Sequence, residues 1–549
     1  MLADLGLSPP LGGWYNTAGV IVVLLTVSLL YRLGRDDGGP PMMAETIPFL
    51  SNMIAVVTKP VPFWDRALKM MQRLKTDIIR FRLGRVPVYV IVGDKKTNVL
   101  FRMNTGFSVK RVHNTFVGVM FGPSKEDQVR WLADTSGREK KRLPEGEHVE
   151  DIDRIWLRLH NSLHEYLLRT KPTDDLATWF FTNFIARTTK LLPLGKSTDM
   201  LIWDFIRYNQ TDVAGRALAG DLVFDMNPGY IDTMRKFDAA LLPVAFGPPR
   251  WVRPQPHIDR EAFLAMNLQW MTKALALFDW DSPAASSSGW EPIFGSPLIR
   301  SIVRWGLEIG LSTQSISGIC GIQLSGQNGN SVPASAWCIL HALTSSDPDL
   351  LPNLTAESHA ALKVDPTTGA HSFDLHKLIS SPWLQAIYTE TLRTKLTHSV
   401  IRDADIDTTL DGTKIPKGAM VYAPMPIAHN NPVWAVPGHP PQEFWPRRHL
   451  TSTVKPESGK EKWEFALGPA RSGYFFPYGG GLTMCPGRNF AKQEIIGTLA
   501  LFLTQFEVEV VGWVTLDGKE ASERAAGDIV GMVVTQPDRD LKVRVTRRW

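Results

Sequence analysis

The stretch Phe475-Phe-Pro-Tyr-Gly-Gly-Gly-Leu-Thr-Met-Cys-Pro-Gly-Arg-Asn-Phe-Ala491 runs a glycine-rich loop into a cysteine and then straight into a helical pattern. Beyond Cys485, the apolar residues Ala491, Ile495, Leu499, Phe502 and Leu503 follow a helical spacing and predict a helix with a buried face. The sulfur is therefore expected at a helix start, with Pro486 at the first helical position. Free backbone N–H groups and the helix dipole there favour a thiolate over a thiol. Glycines at 479, 480, 481 and 487 predict a loop clear of side chains, along which a flat cofactor can approach and N–H groups can point at sulfur. The ordinary alternative for a lone cysteine is a core thiol beside a turn. Glycine at both −4 and +2 from a cysteine arises by chance in roughly 0.02 of chains with 43 glycines and three cysteines, so the pattern favours a ligand.

Working outward, 549 residues that are 44% hydrophobic and 21% charged can bury a large core, which excludes a disordered chain or a small stapled one. A net charge of +5 without long like-charge blocks argues against a nucleic-acid partner. The densest cluster, Arg138-Glu-Lys-Lys-Arg142, reads as a solvated loop. Cys320, Cys338 and Cys485 form no Cys-x-x-Cys pair and leave an odd count, so no disulfide framework is expected and a reducing compartment fits. Trp14 to Tyr31 carries no formal charge and, as a helix of about 27 Å, matches the roughly 30 Å core of a bilayer. Aromatic residues at both ends and Arg32 and Arg35 beyond predict a single-pass anchor with the body on the cytoplasmic side. Sequons at Asn209 and Asn353 are then expected to carry no glycan.

The expected organisation is a membrane anchor over residues 1–35, a Gly/Pro hinge over 36–44, and one body over 45–549. Ile152, Ile155, Trp156, Leu159, Leu163, Tyr166 and Leu167 predict an amphipathic helix. Asp281 to Gly289 reads as a loop. From Leu307 to about Leu343 a long helix is expected, bent where Ser325-Gly-Gln-Asn-Gly-Asn-Ser331 and Pro333 interrupt its apolar run. Strand signals come at Val400-Ile401, around Lys417 to Tyr422 and at Leu541 to Val545. The fold class is mainly α with small β-sheets. His160 and His164 share a helix face without a carboxylate between them, and no Gly-x-Ser-x-Gly elbow or Walker loop is present.

The cysteine stretch resembles the haem-binding signature of the cytochrome P450 superfamily, aromatic-x-x-Gly-x-x-x-Cys-x-Gly, with Tyr478 where that family usually has Phe. The resemblance implies a P450 fold behind the N-terminal transmembrane helix, haem b as cofactor, and Cys485 as axial ligand of its iron. Tyr478, Gly481 and Gly487 would shape the cofactor loop. Glu390-Thr-Leu-Arg393 resembles the family's Glu-x-x-Arg, set about 90 residues before the cysteine and followed by Phe444-Trp-Pro-Arg-Arg-His449, from which Arg448 would complete a structural triad. A second Glu-x-x-Arg, Glu139 to Arg142, lacks that order. Arg402 would pair with a haem propionate. The family's Trp-x-x-x-Arg haem contact is not found, since its sole match, Trp203 with Arg207, lies too far along the chain.

Where most oxygen-activating members carry an acid followed by threonine, this chain has Gly329-Asn330. That variant, with Thr483 and Gln536-Pro-Asp-Arg-Asp540, resembles the subgroup of steroid 7α- and 12α-hydroxylases and prostacyclin synthase. A fungal-type natural-product enzyme is compatible with the same motifs. The implied function is a monooxygenase acting on an apolar sterol-, terpenoid- or lipid-like substrate in lipid or secondary-metabolite biosynthesis, with Asn330 orienting water or a substrate oxygen. The alternative is a haem-thiolate peroxide isomerase or dehydratase. Implied partners are the membrane, as an endoplasmic-reticulum protein, and NADPH-cytochrome P450 reductase as electron source, docking near Arg488 and Lys492.

Overall fold

The long helix runs without a break over Thr313–Thr344 in the computed structural model, which describes residues 38–103, 106–454, 461–522, 528–529 and 533–549. The Ser312 hydroxyl accepts from the Ser315 N–H and caps its start. The sequence reading began this helix at Leu307. Leu307 instead closes the preceding helix, Pro297–Glu308, and Gly310 at φ +71° makes a left-handed turn that separates the two.

The long helix serves two hydrophobic cores. Ile316, Ile319, Cys320, Ile322 and Leu324 pack with the helices Tyr230–Phe246, Gln255–Leu277 and Pro297–Glu308. Val332, Ala334, Trp337, Ile339 and Leu340 pack into the other core with the helices Thr170–Leu191, Pro382–Lys395 and Arg488–Gln505. Between them, Ser325 to Ser331 gives no apolar side chain to either. The polar interruption therefore lies where the two cores part. Cys320 and Cys338 are core thiols on either side of it, both pushed up by burial, Cys338 to about 12.

A five-stranded sheet flanks the second core in the order Ile78–Leu83, Val86–Ile91, Met420–Pro424, Ser399–Ala404, Phe107–Ser108. Only the pairing of Met420–Pro424 with Val86–Ile91 is parallel, and Tyr422 lies opposite both Val90 and Ile401. A smaller sheet joins Phe506–Thr515, Arg539–Arg547 and Ser197–Leu201. The strand signals in the sequence fall on these strands, and the fold is mainly helical with small sheets. Ile155–Leu167 is the expected amphipathic helix, entered through a 3-10 turn at Asp151–Asp153. The expected loop at 281–289 contains one helical turn, Pro283–Ser286.

The segment read as anchor, Trp14 to Tyr31, lies outside the described residues. Among the described residues no helix is long and apolar enough to cross a membrane. Within the expected hinge, the Arg80 N–H donates to the Pro41 carbonyl, and the Met43 N–H to that of Arg80. Met43 is buried. The chain is thus fastened to the first sheet a few residues before position 45.

Close backbone contact at Gly318 gives a test of this packing. A Cβ there would fall 1.8 Å from the Phe121 carbonyl oxygen, a backbone atom that cannot turn aside. Gly318→Ala is expected to destabilise by about 1–3 kcal/mol, read as a lower denaturation midpoint.

Candidate active site

Cys485 lies in the turn ahead of the helix Arg488–Gln505, whose N-cap is Gly487, so Pro486 stands outside the helix and not at its first position. The sulfur nevertheless accepts the backbone N–H groups of Gly487 and Arg488. The loop closes through the Cys485 N–H, which donates to the Tyr478 carbonyl at 2.9 Å. Protein crowds the sulfur on most sides, yet the residue keeps accessible surface, as expected of a group on the wall of a recess. Burial pushes the thiol up, against the two N–H groups and the Arg488 charge. A coordinated metal ion would displace the proton outright.

The glycines have two uses. A Cβ on Gly480 would fall 2.2 Å from the Phe101 ring, and one on Gly481 2.3 Å from the Phe101 carbonyl oxygen. Both positions are thus also required bare by packing against the helix Asp94–Arg102. A Cβ on Gly487 would lie 3.8 Å from the Cys485 sulfur, so the bareness of this position is felt at the sulfur itself.

Tyr478 uses the hydroxyl that Phe would lack. It meets the Tyr388 hydroxyl at 2.7 Å, and burial pushes both phenols up. Tyr388 sits one turn before Arg393 on the helix Pro382–Lys395, which ties the cysteine loop to that helix.

Glu390, Arg393 and Arg448 meet as predicted, all fully buried. Arg393 holds the carboxylate with two bonds of 2.8 and 2.7 Å. The Arg448 Nε adds one at 2.9 Å, the Trp445 N–H one at 2.8 Å, and the His449 Nε2 one at 2.8 Å. The sequence reading gave His449 no role. Burial works to raise the Glu390 carboxyl, but Arg393 first and His449 next hold it well below the usual range.

Arg402 is buried on the strand Ser399–Ala404, donating to the Gly480 carbonyl at 2.9 Å and the Thr483 hydroxyl at 2.7 Å. Arg138 faces it. The cluster that read as solvated is turned inward at this residue, because Arg154 grips the carbonyls of Glu139 and Lys140 from below. Arg138 and His113 touch through Nη2 and Nε2 and both lie against the Trp156 indole, the imidazole stacked at 4.1 Å. Burial holds Arg138 and Arg402 down to about 10, and Arg138 also feels the charge of Arg402. Burial, then the two guanidiniums, push His113 down to about 3. Among the described residues no carboxylate pairs with either arginine, and the Arg138 Nε has no acceptor. Two desolvated cations without counter-charge make a site for a ligand bearing carboxylates. Trp203 and Arg207 contribute nothing here, since Arg207 pairs with Asp204.

In the long helix, the Asn330 Nδ2 is tied to the Gly326 carbonyl at 3.0 Å, leaving its Oδ1 buried without a donor. The side-chain oxygens of Gln327 and Asn328 are in the same state. Beside Gly326 a Cβ would meet nothing within 4 Å. On the other flank the fully buried Glu494, nine residues after the cysteine, accepts from Gln210 Nε2 at 2.9 Å, its Oε2 is left without a donor, and burial raises it to about 7. Neither Glu494 nor Gln210 carries a sequence signal for this placement. Arg488 and Lys492, expected on a docking surface, donate to the Cys485 carbonyl and the Gln385 side chain.

The profile of the cytochrome P450 family matches residues 326–524. A cytochrome P450 monooxygenase of Penicillium decumbens, calL, is 34% identical over 531 residues, covering 96% of this chain and 97% of its own length. Another of Humicola fuscoatra, fsoE, is 26% identical over 436 residues, 71% of this chain and 74% of its own. A cholesterol 7-alpha-monooxygenase of Cricetulus griseus is 33% identical over 192 residues, 33% of this chain and 36% of its own.

Glu390→Gln keeps the shape but leaves the two buried guanidiniums without counter-charge, and is expected to lose about 3–5 kcal/mol in denaturant unfolding. Because folding depresses the Glu390 carboxyl, its contribution is full above the ordinary value of 4.5 and drains away as pH falls below it. Acid unfolding of the Gln variant is accordingly expected to be less steep over that range.

Proposed function

The chain belongs to the cytochrome P450 family, and from that premise we propose a membrane-associated haem-thiolate monooxygenase that oxidises an apolar sterol-, terpenoid- or lipid-like molecule. The observation that carries the reading is one recessed cysteine sulfur in a chain that also sets a buried and a half-buried guanidinium, Arg402 and Arg138, face to face without counter-charge. These residues fit haem b. Cys485 would ligate the iron, and Arg402, Arg138 and His113 would meet the two propionates. When bound, the haem supplies the iron that activates dioxygen, with thiolate electron donation favouring O–O cleavage.

The chain's own groups then have separable tasks. The Gly487 and Arg488 N–H groups stabilise negative charge on the sulfur. The Tyr478–Tyr388 pair and the Glu390 network hold the loop that presents it. Asn330, with its nitrogen occupied, offers an acceptor oxygen to a water or a substrate hydroxyl. The apolar substrate class is supported by the name of the cholesterol-oxidising relative, and a role in lipid or secondary-metabolite biosynthesis is proposed with it. The monooxygenase names of these relatives favour oxygen activation over peroxide isomerisation.

Electrons are proposed to come from NADPH through a cytochrome P450 reductase. Endoplasmic-reticulum membrane attachment is supported by the apolar run at Trp14 to Tyr31 and by a second surface, where Phe246, Trp251 and Val252 are exposed beside Arg250 and Arg253. Of the two sequons, Asn209 is buried and accepts from Arg187, so Asn353 is the one that reports topology.

The reading is tested on purified full-length protein. A ferrous carbon monoxide spectrum of the thiolate type is expected, and Cys485→Ala should abolish it; a variant that kept it would remove Cys485 as ligand. Arg138→Ala and Arg402→Ala are each expected to weaken haem retention by about 1.5–3 kcal/mol, measured as faster haem transfer to an apo-globin scavenger. An untargeted comparison of small molecules in cells with and without the gene identifies the substrate class, and accumulation of only polar metabolites would defeat the apolar assignment.

A further inference from the structure

The polar middle of the long helix faces a buried carboxylate from another element. Asp238 lies on the helix Tyr230–Phe246 and is only 8% exposed. Its Oδ1 accepts the Ser325 hydroxyl. Its Oδ2 stands 3.0 Å from where a Cβ on Gly329 would be, so the bare position at 329 is the space this carboxylate uses. Ser325 and Gly329 are one turn apart and present one face to it. Among the described residues Asp238 makes no ion pair.

On the same stretch, the side-chain oxygens of Gln327, Asn328 and Asn330 are acceptors that no protein donor satisfies. Gln327 turns to another flank, its Nε2 donating to the Ala214 carbonyl, whereas Asn328 shares its turn with Ser325, and an unsatisfied buried acceptor near a carboxyl group is an environment that holds water and exchangeable protons. Burial raises Asp238 to about 7, against the Ser325 bond and the charge of Arg235, so both of its protonation states are populated near neutrality. The other charged and titratable groups around it are few. Tyr230 on its own helix donates to Asn267 at 2.6 Å and feels both Asp238 and the Cys320 thiol of the long helix. Arg235 is in turn surrounded by Arg207, Tyr208, Asp232 and Asp204. Glu494 stands on the opposite flank, against Ser331.

We infer that Asp238 is the proton carrier of this site, passing protons across Ser325 and bound water to the polar middle of the long helix. The inference rests on the monooxygenase reading. That reaction places one oxygen atom of O2 in a substrate C–H bond and releases the other as water, taking up two electrons from the reductant and two protons. Each proton leaves the Asp238 carboxyl as the O–H bond breaks. The carboxylate left behind keeps the Ser325 hydroxyl bond and the Arg235 charge, and takes its next proton from solvent. Asp238 is a positioning residue in this sense, since it acts through Ser325 and water and not on the reacting atoms.

The experiment uses the haem-loaded full chain, with NADPH as probe, a cytochrome P450 reductase, and the variants Asp238→Asn, Asp238→Glu and Glu494→Gln. Infrared spectra of the wild type should contain protonated-carboxyl intensity that titrates at about 7 from both Asp238 and Glu494; Asp238→Asn should remove one component of it, and that component should survive in Glu494→Gln. NADPH oxidation by the wild type should fall as pH rises through that value, because the protonated form is the donor. Asp238→Asn should be slower by about tenfold or more and flat across the same range, with an unchanged carbon monoxide spectrum and thermal midpoint, and Asp238→Glu should restore the limb. Failure of Asp238→Asn to remove any component of the titrating intensity, the Glu494 component being the one that Glu494→Gln removes, or a wild-type rate and pH limb in Asp238→Asn, overturns the inference. So does loss of activity together with haem and thermal stability that Asp238→Glu does not rescue, which identifies a structural clamp. A wild-type chain with the thiolate spectrum but no NADPH-dependent oxygen uptake overturns instead the monooxygenase reading beneath it.

Discussion

The carboxylate of Glu390 is the constraint from which the site is built. A charge with no accessible surface is tolerable only when its lone pairs are filled, and here five donors fill them. Those donors come from one helix and from the segment Trp445 to His449, so satisfying the charge fixes that segment on the helix Pro382–Lys395. Arg448 passes the constraint on, since its carbonyl accepts Arg471 at 2.6 Å in the turn that leads into the cysteine loop. Two residues before Glu390, Tyr388 reaches the same loop through Tyr478. The sulfur is therefore positioned from both ends of one short helical stretch, and rigidity at Cys485 is a consequence of charge burial at Glu390.

Arginine meets two opposite fates in this molecule, and the difference separates structure from binding. Arg393 and Arg448 are buried with a counter-charge and their depth is self-consistent. Arg402 is buried and Arg138 half-buried without one, and each has its proton affinity lowered by desolvation. Such a pair is unfavourable in the chain alone and becomes favourable when a dianion is placed between its members.

Much of this was legible in the sequence where chemistry and spacing are local. Glu390 and Arg393 are three apart on a helix, Arg448 follows in a recognisable order, and the glycine pattern singled out Cys485 from two core thiols. What was illegible comes from loops that approach from far away. Arg138 was hidden inside a run of charges whose average is solvated, and only the grip of Arg154 on two carbonyls turns it inward. His113 has no pattern at all. Gly480 and Gly481 hide a second reason for their bareness, since the ring and carbonyl of Phe101, far away in the chain, forbid a side chain there. The start of the long helix was misjudged at Leu307 because apolar periodicity runs straight through the left-handed turn at Gly310.

The long helix shows why polar residues persist in an otherwise apolar element. Its two ends belong to different cores, and a helix that is buried all round needs polar side chains only where neither core reaches it. That gap spans Ser325 to Ser331, and both buried carboxyls of raised affinity, Asp238 and Glu494, border it from opposite sides. A side chain at 329 would compete with Asp238 for the same space, so the glycine there and the acid on the neighbouring helix are one structural decision. Where the resemblance sets an acid and an alcohol, this chain has Gly329-Asn330, and the buried acid at this level comes from the neighbouring helix instead.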